Sequence, residues 1–526
     1  MCGQCPAHPR RLEPLEKQMR GKVNIMMRRD LFKASLATGA ATLFGKPTLG
    51  GAAERQSVFP NTPGLTKYVA QFVLDTKYED IPPEVITLGK KSILDGFGLA
   101  LAGSVAESGP ISRKYIESLG VCQGKSTVIG SPLKSAPRFA AFVNGVSIHA
   151  DDFDDTQLAV AKDRVYGLLT HPTAPVLPPA FALAELGGAS GKNLMLAYHL
   201  GVEVETKLAE ASSPRHYSDG FHSTGTFGSL GSATACAKIR GLNLEQILTT
   251  YGIAAAEAAG LGANFGTMTK PFHAGHAAEN GVAAADLASF GWTAAEQVFE
   301  ANRGFFHAYS GSYDPSALVN KLGNPWTLVN PGVSLKPYPS GSLTHPAMTA
   351  LLRLIEKYNI APADVEKVDV GTNHNMPNAL IHHQPQTGLQ GKFSMEFCIA
   401  VLLLERRAVL SQFTDTYVRR PEVQEMIRRV NFYVDPVAEK AGFDKMTSLV
   451  TVYLKDGRTL KDQADFAKGS PAYPMTFEDV VVKFRGCSEY ANWPKDKTDA
   501  IIELVSALER LADLSKLSVL LSRTSA

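Results

Sequence analysis

Residues 227–241 read Phe-Gly-Ser-Leu-Gly-Ser-Ala-Thr-Ala-Cys-Ala-Lys-Ile-Arg-Gly, a pattern typical of a helix in a tightly packed bundle. Its apolar residues recur at helical spacing, which predicts a helix over Phe227–Ile239 that stops at Gly241. Small side chains fill most of its other positions. Because small side chains let helix axes approach closely, we expect this helix to lie inside a compact helical bundle.

The helical pattern continues on both sides, from about residue 63 to about residue 260. The predicted neighbouring helices are Leu65–Asp75, Val85–Leu101, Lys192–Ala211 and a helix that runs from a capping box at Asn243 and Gln246 to Ala259. Another segment, Pro178–Leu186, is apolar nearly all round. Its prolines suit a first helical turn, so we predict a short buried helix there.

The pattern changes from about Val333 onward. A helix is expected at Pro346–Lys357, and strands are expected at Lys367–Gly371, Val430–Val434, Leu449–Leu454 and Thr459–Lys461, the last two joined by an Asp456-Gly457 turn. After Pro474 the chain is helical again, over Phe477–Arg485 and Thr498–Leu521. The sequence therefore predicts a mainly α protein, in which an α+β unit interrupts a large all-helical domain.

The N-terminus has a different character. Residues 1–46 carry nine Lys/Arg and three Asp/Glu, an excess of +6, whereas the whole chain has 53 − 51 = +2. Arg28-Arg29-Asp30-Leu31-Phe32-Lys33 resembles the twin-arginine export motif. The apolar stretch that follows has about twelve residues, and a membrane span needs about twenty. We expect residues 1–53 to be an export leader for the twin-arginine machinery and the protein to be periplasmic; the alternative is an amphipathic helix beginning at Asp30.

Composition excludes several functions. A charge of +2 gives no basic surface for nucleic acid, and 44% apolar with 20% charged residues is typical of a folded globular protein. No Walker or dinucleotide glycine motif occurs, so a nucleotide cofactor is not expected. The only close histidine groupings, His382-His383 and His273-x-x-His276, lack the HExxH form of a zinc site, so no metal site is expected.

Polar residues concentrate in five segments with small or apolar surroundings. The first segment is His149-Ala150-Asp151-Asp152-Phe153-Asp154-Asp155-Thr156, which His171-Pro172 follows at some distance. The other four segments begin at Gly220-Phe221-His222, Thr269-Lys270-Pro271, Lys336-Pro337-Tyr338 and Lys392-Phe393-Ser394. Each also has a plain structural interpretation: a solvated turn, a helix cap, a surface lysine, a proline-rich turn or a helix start. A run of four nearby carboxylates, however, needs compensating cations or hydrogen bonds.

Taken together, the ordered motifs DFDDT, HP-x-A-P-V-L-P, HSTGTFGSLGSA, TKPFHAGHAAENG, KPYP…THPA and KFSMEF resemble the MmgE/PrpD family over about residues 60–515. The resemblance implies a helical domain (54–332 and 471–526), a smaller α+β lid (333–470), a homodimer, and an active site between the domains that needs no metal or cofactor. It also implies a small di- or tricarboxylate as substrate.

The resemblance further implies the site residues. The catalytic candidates are Asp152, His171, His222 and Lys270, and the substrate-binding candidates are Thr156, Lys336, Thr224 and His345. Lysines would neutralise the substrate carboxylates and the charge that develops during reaction. A histidine suits proton transfer near neutral pH.

Three departures leave the reaction open. Fourteen residues, Gln157–Thr170, separate Thr156 from His171, Gly341 occupies a position where relatives often carry Cys or His, and Phe397 replaces a frequent Tyr. The insertion could displace His171, and Gly341 removes a proton-transfer group unless His345 substitutes. We expect a metal-independent lyase, a dehydratase or decarboxylase of an acid such as 2-methylcitrate or an aconitate-like acid. The alternatives are an epimerase of a small dicarboxylate and an exported non-catalytic binding homologue.

Overall fold

The computed structural model describes residues 59–160, 165–213, 215–442 and 445–523, with the side chains of residues 158–160 and 165–169 left out. The predicted leader, residues 1–53, lies outside the described residues, and so does its twin-arginine stretch. Residues Ser57–Ala526 form one compact unit. Within the described residues, no helix combines the length and apolar character that a membrane crossing requires.

The first part of the chain is helical. Its helices are α1 (Leu65–Asp75), α2 (Pro83–Gly103), α3 (Ser108–Ser118), α4 (Pro137–His149), α5 (Thr173–Gly187), α6 (Gly191–Ala211), α7 (Arg215–Ser218), α8 (Ser223–Arg240), α9 (Leu244–Glu257), α10 (Thr269–Ser289) and α11 (Phe305–Tyr309). Two small antiparallel pairs accompany them: β1 (Ser126–Thr127) with β2 (Lys134–Ser135), and β3 (Gln157–Val160) with β4 (Val165–Thr170).

Small residues let the central helices pack closely, as the sequence of residues 227–241 predicts. Helix α8 packs on α5, α6 and α10, and its residues 223–237 are all buried. A Cβ atom at Gly228 would lie 2.7 Å from Cγ of Pro175 on α5. Helix α10 crosses α4 as closely, since a Cβ at Gly275 would lie 2.6 Å from the carbonyl oxygen of Phe142. Glycine at these crossings is a steric requirement.

The lid is a mixed α+β structure. It contains α12 (His345–Tyr358), β5 (Val365–Thr372), α13 (Asn375–Ala379), α14 (Gly388–Gly391), α15 (Met395–Glu405), α16 (Asp415–Val418), α17 (Pro421–Arg428), β6 (Val430–Val434), α18 (Pro436–Ala441), β7 (Ser448–Leu454) and β8 (Thr459–Ala464). The sheet order is β6-β5-β7-β8, with β5 parallel to β6 and antiparallel to β7. The predicted strands and the hairpin are confirmed.

The chain then returns to helices: α19 (Phe477–Tyr490), α20 (Lys495–Ser506) and α21 (Ser515–Leu521). These helices contribute to the large apolar core of residues 65–335, whereas buried residues 343–464 form a separate core inside the lid. The C-terminal helices therefore share one buried core with the N-terminal helices. The mainly α architecture with a smaller α+β part is confirmed.

The bounds of two predicted helices were wrong. Helix α5 begins at Thr173, so Pro178 and Pro179 lie inside it instead of starting it. The carboxylate of Asp155 accepts the Thr173 N–H at 3.1 Å, and that contact from a distant segment starts the helix earlier.

The predicted single helix Thr498–Leu521 is also broken, between α20 and α21. At the break, the carbonyl of Leu511 accepts the Gly191 N–H at 2.9 Å. Leu511 thereby satisfies an N–H at the start of α6 that has no partner within its own helix.

Candidate functional site

A cavity with about 430 Å³ of empty space, part of it open to solvent, lies where the helical part meets the lid. Its walls are Asp152, Thr156, His171, Tyr217, His222, Phe265, Lys270, Lys336, Gly341, Ser342, Leu343, Ala379, Leu380 and Phe393. The ionised groups in this lining are two lysines and one carboxylate, an excess of one positive charge when the imidazoles are neutral. Such a cavity favours a small anion.

The loop after α4 carries the central carboxylate. Three buried lysines from different parts of the chain each donate to one of three successive carbonyls: Lys392 to Asp151 at 2.8 Å, Lys336 to Asp152 at 2.8 Å and Lys483 to Phe153 at 2.7 Å. Asp152 itself has a left-handed backbone with φ of 49°. That conformation is unfavourable for a residue with a side chain, so the lysine contacts help to hold it.

The Asp152 carboxylate lies between two ammonium groups. Lys270 donates a short hydrogen bond to Oδ1, and Nζ of Lys336 lies 3.0 Å from Oδ2. Burial alone would raise the pKa of Asp152, but Lys270 and Lys336 outweigh burial and hold this pKa well below its usual range. Asp152 is therefore ionised at neutral pH, and it orients both lysines.

Lys270 also touches an imidazole that the sequence did not single out as a site residue. Its Nζ donates to Nε2 of His149 at 2.8 Å, while Nδ1 of His149 bonds the Asp154 carboxylate at 2.8 Å. Burial lowers the pKa of Lys270 despite its contact with Asp152. Lys270 is therefore a better proton donor than an ordinary lysine.

His171 keeps its place in the cavity wall in spite of the preceding insertion, which folds as the β3–β4 pair. Its Nδ1 lies 2.8 Å from the carbonyl oxygen of Asp155 and 3.2 Å from Oγ1 of Thr156. The carbonyl can only accept, so the proton of neutral His171 sits on Nδ1 and Nε2 is left as a base. Burial, reinforced by Lys336 and Lys270, lowers the pKa of His171 well below its usual range.

Thr156 is fixed by an antiparallel bridge to the entry of the lid. Its N–H donates to the carbonyl of Ser334 at 2.8 Å, and the reverse bond is also 2.8 Å. Its hydroxyl accepts from Ser342 at 3.3 Å. The bridge positions the Thr156 hydroxyl at the cavity edge.

His222 lies at the start of α8 and faces the cavity. Its Nδ1 lies 3.0 Å from Nδ1 of His273, and its buried Nε2 has no hydrogen-bond partner among the described residues. Burial lowers the pKa of His222 well below its usual range, and the Lys270 charge lowers it further. His222 is therefore neutral near pH 7.

Six of the eight predicted site residues line the cavity, and two do not. Thr224 lies behind His171 and accepts the His171 backbone N–H at 3.1 Å. His345 lines a smaller cavity of about 240 Å³ behind Lys336, and its Nε2 lies 3.2 Å from Oγ of Ser340. His345 therefore does not fill the space at Gly341, which does line the main cavity.

Several residues at the site were missed from the sequence, among them the wall residues Phe393, Tyr217 and Phe265, and His149, which contacts Lys270. His149 and Phe393 lie in motifs that were recognised, whereas Tyr217 on α7 and Phe265 in the loop before α10 lie outside those motifs. The Phe265 ring stacks on Phe393 of the lid with centroids 5.8 Å apart, and Nζ of Lys270 lies 5.3 Å from the Phe393 centroid. Phe397, by contrast, is buried in the core of the lid.

In the part of the chain that the structure describes, two groupings bring metal-ligand atoms together: His149 with His171 and His222, and His149 with Asp152 and Asp154. Both groupings need His149, whose two ring nitrogens are already bonded to Asp154 and to the Lys270 ammonium. A lysine cation at that nitrogen competes directly with a metal ion. The donor set therefore suits an organic anion better than a metal.

Comparison with known proteins agrees with this geometry. The MmgE/PrpD N-terminal domain matches residues 67–318 and the MmgE/PrpD C-terminal domain matches residues 338–510. The chain belongs to the MmgE/PrpD family.

Individual relatives are similar along most of the chain. The human cis-aconitate decarboxylase is 32% identical over 472 residues, covering 87% of this chain and 94% of the relative. The mouse cis-aconitate decarboxylase is 30% identical, with 87% and 93% covered, and that of Aspergillus terreus is 27% identical, with 87% and 96% covered. These relatives and the family identify the protein as a lyase.

Proposed function

We propose that this lyase decarboxylates a cis-aconitate-like tricarboxylate, and that it does so without a metal ion. The observation that carries the proposal is the pair Lys270 and Lys336, held by Asp152 in a buried cavity. Ammonium groups in a buried site pair strongly with carboxylates and need no reorganisation during reaction. The names of the relatives supply the substrate class.

The chemistry requires charge stabilisation and one proton. In such an acid, the departing carboxylate sits on a carbon next to a C=C bond that is conjugated with another carboxylate. As the C–C bond breaks, CO2 leaves and its bonding electrons form a new C=C bond. The former alkene electrons move to the far carbon, where they form a carbanion conjugated with that carboxylate. A proton then adds to this carbon, so each turnover releases one CO2 and consumes one proton.

The wall residues fit these needs. Lys270 and Lys336 are placed to neutralise the remaining carboxylates and the developing enediolate. Thr156 and Ser342 offer hydroxyls at the cavity edge for orientation. Phe265 and Phe393 form an apolar wall that strengthens each charge contact by excluding water.

The test measures CO2 release by the full chain from cis-aconitate, trans-aconitate and 2-methylcitrate, with product masses recorded. We expect CO2 from cis-aconitate and a product lighter by one CO2. Loss of water from 2-methylcitrate, with no CO2 from any of the three acids, would overturn the decarboxylase assignment in favour of a dehydratase.

Epimerisation is the second candidate. Two imidazoles, His171 and His222, face the same cavity with ring centroids 6.3 Å apart. Two acid/base groups around one carbon could remove a proton from one side and return one to the other. A product of unchanged mass and inverted configuration would support this candidate.

We also propose that the protein is a homodimer. An exposed aromatic patch on the helical part supports this proposal: the Tyr115 and Phe272 rings, 52% and 43% exposed, both pack on Phe142 with centroids 6.0 and 5.8 Å away. Apolar patches of this kind commonly mark protein interfaces. Light scattering of wild type should give twice the chain mass, and Tyr115→Glu should weaken the dimer.

Export through the twin-arginine pathway is a further proposal, supported by Arg28-Arg29 and the short apolar stretch after them. Replacing both arginines by lysine in a bacterial host should retain the protein in the cytoplasm. Equal periplasmic amounts of wild type and variant would contradict the proposal.

A further inference from the structure

The three imidazoles grouped at the cavity differ in what holds their Nδ1 atoms. His149 is bonded to the carboxylate of Asp154, and His171 to the carbonyl of Asp155. Both of those partners can only accept, so they fix the ring proton on Nδ1. His222 is bonded instead to another imidazole, His273, at 3.0 Å.

An imidazole partner changes what His222 can do. In the pair of neutral rings, one Nδ1 carries a proton and donates it to the other. If His273 is the donor, the proton of His222 sits on Nε2, the unpartnered buried atom of a ring that lines the cavity. Among the three imidazoles, His222 is then the one that can present an N–H to the substrate.

We propose that His273 is a positioning residue that sets the tautomer of His222 and passes it a proton during turnover. This inference rests on the proposed decarboxylation. Nε2–H of His222 gives its proton to the substrate carbon as CO2 leaves. The Nδ1 proton of His273 moves to Nδ1 of His222, and His273 takes up a proton from solvent water on Nε2. One proton enters and one is consumed, so both imidazoles end neutral with their tautomers exchanged. After the product leaves, Nε2 of His222 takes a proton from water in the emptied cavity, Nδ1 of His222 returns its proton to Nδ1 of His273, and Nε2 of His273 releases one to solvent. This reverse transfer restores the starting tautomers.

This proton transfer from His273 to His222, the relay, is needed because the surroundings of His222 keep both rings neutral. Burial lowers the pKa of His222 and lowers the pKa of His273 to about 4. Neither ring is therefore protonated on both nitrogens near pH 7. A neutral imidazole that gave up its Nε2 proton alone would become an anion, whereas a proton arriving on Nδ1 prevents this. Among the described residues, the charged or titratable groups facing the pair are His149 on α4, Asp152 after α4, His171 before α5, and Lys270 and His276 on α10.

The position of His273 suits this task. It lies on α10 three residues after Lys270 and keeps 6% of its surface exposed, against 1% for His222. Its neighbour His276 pairs with Glu279 at 3.1 Å and does not line the cavity. His273 thus stands between the cavity imidazole and the outer part of the helix.

The test compares His273→Phe, which keeps ring size but removes both nitrogens, with His276→Phe as the matched control. We expect His273→Phe to lower kcat about 100-fold with KM within about threefold, as loss of assisted proton transfer predicts. His276→Phe should stay within about twofold. In His273→Ala, added imidazole should restore part of kcat, which a purely structural role would not allow. A His273→Phe enzyme with kcat within twofold of wild type overturns the proposal.

A second measurement does not depend on turnover. Nitrogen-15 histidine NMR of the folded full chain should show His222, assigned with His222→Gln, protonated on Nε2 in wild type. That preference should be lost in His273→Phe. A wild-type His222 protonated on Nδ1 overturns the relay even if the enzyme is active, whereas absence of CO2 release with the expected tautomer overturns only the decarboxylase assignment.

Discussion

Lys336 holds Asp152 at two points: its Nζ donates to the Asp152 carbonyl at 2.8 Å and lies 3.0 Å from the carboxylate. One ammonium thus fixes both the left-handed backbone of Asp152 and the direction of its side chain. The lysine comes from the entry of the lid and the aspartate from the helical part. Their contact joins the two sides of the cavity at its most charged point.

Removing either cavity lysine should therefore impair turnover severely. We expect Lys336→Met and Lys270→Met each to lower kcat/KM for cis-aconitate by about 100- to 1,000-fold, the range for loss of one preorganised charge contact. Lys357→Met, an exposed lysine on α12, is the control. Turnover within a few-fold of wild type in both cavity variants would rule out the carboxylate clamp.

Lys392 should matter although it does not line the cavity. It is 2% exposed, and it reaches from the lid to the Asp151 carbonyl at 2.8 Å and to the Asp151 carboxylate at 3.2 Å. Lys392→Met should let the Asp152 loop move and lower kcat about 10- to 100-fold, since small displacements of positioned groups are costly. Steady-state CO2 release measures this effect; an unchanged kcat in a folded variant would show that the loop is held without Lys392.

The stability of the protein should depend on Asp155 in a pH-specific way. Burial raises the pKa of Asp155 to about 7, whereas an unfolded aspartate has a pKa of about 3.9. The folded state thus binds the proton more tightly, so this stabilisation is complete below about pH 4 and is lost as pH rises to about 7. The full difference corresponds to about 4 kcal/mol.

The substitution Asp155→Asn removes this titration. Relative to wild type, the variant should become progressively more stable between pH 4 and pH 7, and the difference should level off above pH 7. Urea unfolding of both proteins at pH 5 and pH 8 measures the change. A stability difference that is the same at both pH values would mean that the Asp155 pKa is not raised.

The space around two glycines predicts opposite effects of their substitution by alanine on stability. A Cβ in Gly275→Ala would meet the Phe142 carbonyl at 2.6 Å, so we expect a loss of about 1–3 kcal/mol in the free energy of unfolding. At Gly486, on the exposed side of α19, nothing lies within 4 Å, so Gly486→Ala should stabilise by about 0.5–1 kcal/mol. Urea unfolding compares them, and equal effects would contradict this view of the packing.

Much of the fold could be predicted because its signals are local. The capping box of Asn243 and Gln246 is present as predicted, and so is the turn at Asp456-Gly457. The start of α5 and the break before α21 could not be predicted. Both depend on hydrogen bonds between distant segments, such as Asp155 with Thr173, which no periodic pattern encodes.

The candidate site, like the fold, could be predicted from the sequence only in part. Charged residues in dense motifs, such as Asp152 and Lys270, could be recognised from the sequence together with the family they resemble. His273 also lies in a recognised motif, but its meaning depends on a 3.0 Å contact with His222 across 51 residues. Tyr217 and Phe265 have no sequence signal, because only the packed structure turns them toward the cavity.

Turnover of cis-aconitate in deuterated water, with products analysed by mass spectrometry and NMR, is the decisive test of decarboxylation. We expect release of CO2 and a product that carries one deuterium on the carbon protonated after CO2 leaves, with the signal lost in Lys270→Met. Deuterium exchange into the substrate with all its carbon retained, and no CO2, would contradict decarboxylation and favour proton transfer alone.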